Sequence, residues 1–91
     1  MGGEKSEVTH YLFTCRSLTY AQRTERVLER AGVTAVVTRA PRTITPEGCG
    51  YCLKVPERHF ANALTALKDT ELHPKKVFCI YEDGNFVEVD I

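Results

Sequence analysis

The run of apolar and polar positions along the chain marks four strands, two helices and a short closing strand. His10 to Cys15 is aromatic and apolar, as a first strand should be. Ala21, Thr24, Leu28 and Ala31 then recur at helical spacing with Val27 beside them, predicting a helix from about Thr19 to Ala31. Thr19 with Gln22 reads as its capping box, and Gly32 stands where a C-terminal cap belongs. Val33 to Arg39, rich in β-branched residues, is a second strand. Pro41 to Gly50 holds two prolines and two glycines and reads as a loop rather than a tight hairpin. Tyr51, Leu53 and Val55 alternate with Cys52 and Lys54 in a third strand. Pro56 is placed to open a second helix, whose apolar face is Phe60, Ala63, Leu64 and Leu67. A polar stretch around Glu71 to Lys76, broken by Pro74, leads to a fourth strand, Val77 to Tyr81. Asp83-Gly84-Asn85 is a turn signal, after which Phe86, Val87 and Val89 can form a short extra C-terminal strand. Residues 1–9 read as a polar, mobile tail and residues 10–91 as a single domain.

This order predicts an α+β fold of the ferredoxin-like βαββαβ kind. Its four strands would form an antiparallel sheet in the order 4-1-3-2, with both helices on one face. That arrangement collects residues far apart in the chain. The end of strand 1 (Cys15, Arg16), the start of helix 1, the Pro41–Gly50 loop and the start of strand 4 would share one edge. Cys15, Cys49 and Cys52 are therefore expected near one another, beside Arg16 and Arg42, with His73, Lys75 and Lys76 approaching. The positive end of helix 1 points at the same edge.

Composition narrows the function. Twelve lysines and arginines balance twelve aspartates and glutamates. A general nucleic-acid binder would show a basic excess, so no nucleic-acid partner is expected. No apolar run approaches the roughly 20 residues that span a bilayer, and no charged-then-apolar leader stands at the start. Neither membrane association nor secretion is expected, and the four cysteines read as reduced cytoplasmic thiols rather than a disulfide framework.

The chemistry lies in "GCGYC", Gly48 to Cys52. In thioredoxin-like proteins a C-x-x-C pair opens a helix, whose N-terminus depresses the thiol pKa. Here the pair opens a strand, so that mechanism does not carry over. Gly48 and Gly50 leave the Cys49 backbone unshielded and free in its dihedrals. Cys52 has the parity of Lys54, which places it on the sheet face away from the helices. Cys79, between Phe78 and Ile80, reads as a packing residue, and Cys15 stands between packing and chemistry. A zinc or iron–sulfur site normally needs two close pairs. One pair, two single cysteines and His73 fall short of that, so no metal and no cofactor is expected.

The stretches "YLFTCRSLTYAQRTERVLERAGV" and "APRTITPEGCGYCLKV", followed by a final strand, resemble the selenium/sulfur carrier-like family of small bacterial proteins. The resemblance runs from Tyr11 to Tyr81, and its marks are Pro41-Arg42, Ile44 and Cys49-Gly50 entering a strand. It implies a carrier that takes sulfur or selenium on Cys49, as a persulfide or selenopersulfide, from a cysteine desulfurase. Arg42, Arg16 and the Gly48 and Gly50 backbone would hold the anion, and Cys52 would resolve it. Cys15 stands where the family pattern calls for an apolar or aromatic residue, so no role transfers to it. Two other readings of the same residues stay open. One is a binding module that forms a homodimer or meets a partner through the open sheet face, with incidental cysteines. The other is a thiol–disulfide redox protein using Cys49 and Cys52.

Overall fold

A computed structural model describes residues 7–41 and 50–90. Among these residues five strands and two helices form: β1 (Val8–Thr14), α1 (Leu18–Arg30), β2 (Val36–Arg39), β3 (Tyr51–Pro56), α2 (Phe60–Leu67), β4 (Val77–Tyr81) and β5 (Phe86–Val89). A turn of 3-10 helix, Glu57–His59, precedes α2.

The four-stranded ferredoxin-like sheet expected from the element order is not what forms. The sheet has five antiparallel strands in the order β2-β3-β1-β4-β5. β4 is therefore interior, and β5 takes the edge. The cause is the local chemistry of the last turn. Gly84 adopts φ +90°, its N–H donates to the Tyr81 carbonyl at 2.8 Å, and Tyr81 N–H donates to Asn85 at 3.0 Å. Asp83 then accepts from the Asn85 N–H at 3.0 Å. A three-residue hairpin with glycine in the left-handed position returns the chain with the twist its strands need. The register it sets, Ile80 opposite Phe86 and Val77 opposite Val89, gives β5 a full ladder.

β1 sits between β3 and β4, so both of its edges are hydrogen-bonded and side chains on either face can be buried. Leu12 and Phe13 are 3 % and 1 % exposed on opposite faces, which explains why this strand reads as a continuous apolar run. Phe13 pairs with Leu53 on one side and Val77 on the other, and all three pack with Leu28 of α1 and Ala63 and Leu67 of α2. Both helices thus cover one face, where Phe60 stacks on Tyr11 at 3.7 Å and meets Phe13 edge-on at 6.1 Å. A smaller cluster of Leu12 and Cys52, flanked by Ala40, Phe78 and Ile80, forms on the other face.

Several boundaries differ from the pattern for identifiable reasons. β1 begins two residues earlier, at Val8. α1 starts at Leu18 because Ser17, in extended conformation, caps it; its hydroxyl accepts from Tyr20 N–H at 3.3 Å, and Thr19 is exposed inside the first turn. Replacing Ser17 by alanine orphans that donor, and a loss of about 1 kcal/mol in urea unfolding is expected, with Thr19→Ala costing much less. At the other end Gly32 (φ +80°) closes a Schellman motif, with Gly32 N–H to Glu29 at 3.0 Å and Val33 N–H to Leu28 at 2.8 Å. Val33 is used up in packing on Leu28, so β2 starts only at Val36. Pro56 ends β3 opposite His10 instead of opening a helix, since its fixed φ suits an extended residue equally well.

Candidate functional site

Antiparallel pairing brings the end of β1, the start of β3 and the start of β4 to one edge of the sheet. Thr14 is the Cα partner of Cys52, and the Cys15 N–H donates to the Tyr51 carbonyl at 3.3 Å. Across the other side of β1, the Thr14 N–H and hydroxyl donate to the Lys76 carbonyl at 3.0 and 3.2 Å. The Lys76 N–H donates back to the Thr14 hydroxyl at 3.2 Å. The backbones of Cys52 and Lys76 therefore flank the end of β1 that leads into Cys15, one strand spacing to either side.

The loop between β2 and β3 leaves and returns at this edge. Ala40 N–H donates to the Gly50 carbonyl at 2.6 Å, which pins the two ends of the loop together. Gly50 holds φ +80°, and a Cβ built there would meet nothing within 4 Å. Glycine is required by the dihedral and not by space. Arg42, Gly48 and Cys49 lie outside the described residues, so three of the residues singled out in the sequence have no geometry here.

The two described thiols of the edge are backbone neighbours but face opposite ways. Cys52 is fully buried in the cluster with Leu12, on the face without helices. Cys15 is partly buried against the helix-side cluster, and its Sγ lies 3.6 Å from the Phe13 carbonyl. Cys79 is elsewhere. It sits in β4 on the helix side, 5 % exposed and opposite Tyr11. Interaction with the neighbouring Cys79 side chain holds Tyr81 above the usual tyrosine range. Burial, and to a lesser degree Cys79 and Glu57, raises Tyr11 likewise.

Charge concentrates where the thiols are. Arg16 lies over the Tyr20 ring at 5.4 Å and Arg39 over the Tyr51 ring at 5.4 Å. Each guanidinium is exposed but held in place by its ring, a contact of roughly 0.5–1 kcal/mol. The first turn of α1 contains no acidic residue, so the positive end of the helix is not neutralised by its own side chains. Arg39 was not singled out in the sequence. The signal was present, because a β2–β3 hairpin closed by residues 40–50 must set Arg39 opposite Tyr51, as it does. Arg23 lies over the same Tyr20 ring at 5.6 Å and also pairs with Glu71 at 2.9 Å, in an exposed pair that contributes little.

His73 borders a groove of about 320 Å³ with Phe60, Leu64, Lys68 and Val89, on the helix side of the sheet. Among the described residues no group of three or more histidines, cysteines or acids could hold a metal ion. No helix among them is long and apolar enough to cross a membrane.

Residues 10–79 match the model of the family described as "Putative Se/S carrier protein-like", and the chain belongs to that family. No curated protein and no solved structure matches it.

Proposed function

We propose that the chain is a sulfur or selenium carrier whose acceptor is Cys49, loaded by a cysteine desulfurase. Membership of the carrier-like family supports this reading, and the observation that carries it is the cationic sheet edge. There the Ala40 N–H to Gly50 carbonyl bond joins the two described ends of the segment that contains Cys49, next to the strand ends that carry Arg39, Tyr51 and Cys52, with Cys15 and Arg16 following β1. Nearby guanidinium groups and a helix N-terminus favour the anionic form of a thiol, and the thiolate is the nucleophile.

The chemistry balances without an added oxidant. The Cys49 thiolate attacks the outer sulfur of the donor's cysteine persulfide, a new S–S bond forms on Cys49, and the donor's cysteine leaves as thiolate. Cys52 is shut off from external partners by its burial, which leaves it an intramolecular role. Its thiolate would attack the inner sulfur of the Cys49 persulfide, releasing hydrosulfide and leaving a Cys49–Cys52 disulfide for a partner dithiol to reduce.

The test is direct. Reduced protein incubated with a cysteine desulfurase and cysteine should gain one sulfur atom by intact mass, located on Cys49 by peptide fragmentation. No adduct on any cysteine across several desulfurases sinks the proposal. A reversible Cys49–Cys52 disulfide without sulfur uptake would favour the redox reading instead.

A further inference from the structure

Charge is unevenly spread along the strands. At the thiol-bearing edge stand Arg16 just past β1, Arg39 at the end of β2, and Lys75 and Lys76 just before β4, all exposed. The acids that reach this edge are largely offset. Glu71 is paired with Arg23 at 2.9 Å, and Asp69 follows Lys68 at the end of α2. Among the described residues that leaves Asp90, just past β5, beside the cations. The opposite end of the sheet has the reverse sign. Glu7 and Glu82 meet there, with the Glu82 N–H donating to the Glu7 carbonyl at 2.9 Å. Asp83 follows in the β4–β5 turn, and Glu57 with Arg58 follows the end of β3. The length of β1 separates the two ends, roughly 20 Å at ~3.4 Å per residue. That is more than two Debye lengths of about 8 Å, so each end acts on a partner through its own sign. A chain of zero net charge thus carries a cationic pole at the thiol edge and an acidic pole opposite.

Two of the cations are also held in place. Arg16 shares the Tyr20 ring with Arg23, at 5.4 and 5.6 Å, and Arg39 lies over Tyr51 at 5.4 Å. A guanidinium resting on a ring loses less side-chain freedom when a carboxylate meets it. Its planar fork still takes the carboxylate through two N–H groups.

From this separation of charge we infer that the cationic pole is the docking surface for an acidic patch on the sulfur donor, beside the donor's persulfide-bearing cysteine. This docking role rests on the carrier reading of Cys49 and adds to it how the donor is recognised. A carrier must arrive, take its cargo and leave. Charge complementarity suits that cycle, because it raises the rate of encounter more than it slows release. The acidic pole turns the wrong end of the chain away from the same partner. A compact acidic patch fits better than a nucleic acid, whose charge extends past the pole, on a chain that is neutral as a whole.

The rate of sulfur uptake by the full chain, followed by intact mass over a series of NaCl concentrations, tests this with two donors. One is a loaded cysteine desulfurase. The other is a small uncharged alkyl persulfide, which gives its outer sulfur to the same thiolate, loses its own thiol as thiolate and has no surface to dock. Uptake from the desulfurase should fall steeply with salt. At low salt, Lys75→Glu/Lys76→Glu should slow it about tenfold or more relative to uptake from the alkyl persulfide. A change in the thiol itself would move both rates together. The bonds between Lys76 and Thr14 use the Lys76 backbone, so the substitution keeps them. Glu7→Lys/Glu82→Lys, at the acidic pole, should slow neither donor. Equal slowing of Lys75→Glu/Lys76→Glu with both donors overturns the inference. So does desulfurase uptake that ignores salt and charge reversal while the alkyl persulfide still loads Cys49, a result that leaves the carrier reading standing. Failure of every donor to load any cysteine removes the carrier reading and the docking with it. Oligonucleotide binding that the lysine variant loses, with its desulfurase uptake unchanged, would give the pole to nucleic acid and overturn the inference as well.

Discussion

The Cys49→Ser protein is expected to gain no sulfur from a desulfurase that loads the parent chain. A serine hydroxyl does not reach its anionic form at neutral pH and has no sulfur with which to form the new bond. The companion variants separate chemistry from folding. Cys79→Ser should keep the adduct, since Cys79 is 5 % exposed, on the helix side opposite Tyr11 and away from the cationic edge. Cys52→Ser should also load but release hydrosulfide more slowly, because only Cys52 follows Cys49 in the proposed sequence of steps. Intact-mass time courses read both quantities. An adduct that survives Cys49→Ser would move the acceptor to Cys15 or Cys52 and remove the glycine-flanked thiol from the mechanism.

Phe13→Ala is expected to cost about 3–5 kcal/mol in denaturant unfolding. Phe13 is 1 % exposed, on the central strand, between its partners Leu53 and Val77 and edge-on to Phe60. Tyr11 shares that strand and that helix-covered face but is only partly buried, so Phe13 fills the centre of the core. Against a total stability of roughly 5–15 kcal/mol, the loss leaves little margin for a domain this small. The thiol edge would suffer with it, because Cys15 and the Thr14 contacts to Cys52 and Lys76 continue the same strand. Val36→Ala, on the other edge and 55 % exposed, is the control and should cost under about 0.5 kcal/mol. A Phe13→Ala loss no larger than that of Val36→Ala would show that the core does not close around Phe13.

Much of the path from residues to elements was legible in the sequence. The alternation of Tyr51, Leu53 and Val55 with Cys52 and Lys54 put Cys52 on the helix-free face, where it lies. The helix faces through Leu28 and through Ala63 and Leu67 are the ones that pack. Capping was less legible. Ser17 and Thr19 are both good caps, and only the path of the chain out of β1 selects the first. The closing strand was visible as a pattern, but its weight in the fold was not. Phe86, Val87 and Val89 are mostly exposed, so hydrophobicity alone does not announce a strand that turns β4 from an edge into an interior position.

What the sequence by itself determined is what depends on neighbours along the chain: strand parity, helix faces, turns that need glycine, and the chemistry of a thiol between two glycines. Those follow from backbone periods and dihedral limits that operate over a few residues. Only the tertiary structure decided what depends on register across strands. It set Thr14 beside Cys52, Arg39 over Tyr51, and Val36, Lys54, Leu12, Phe78 and Glu88 in one row across the five strands. Register comes from the summed burial of both faces and the geometry of the turns, and a slip of one residue would reverse every one of these placements.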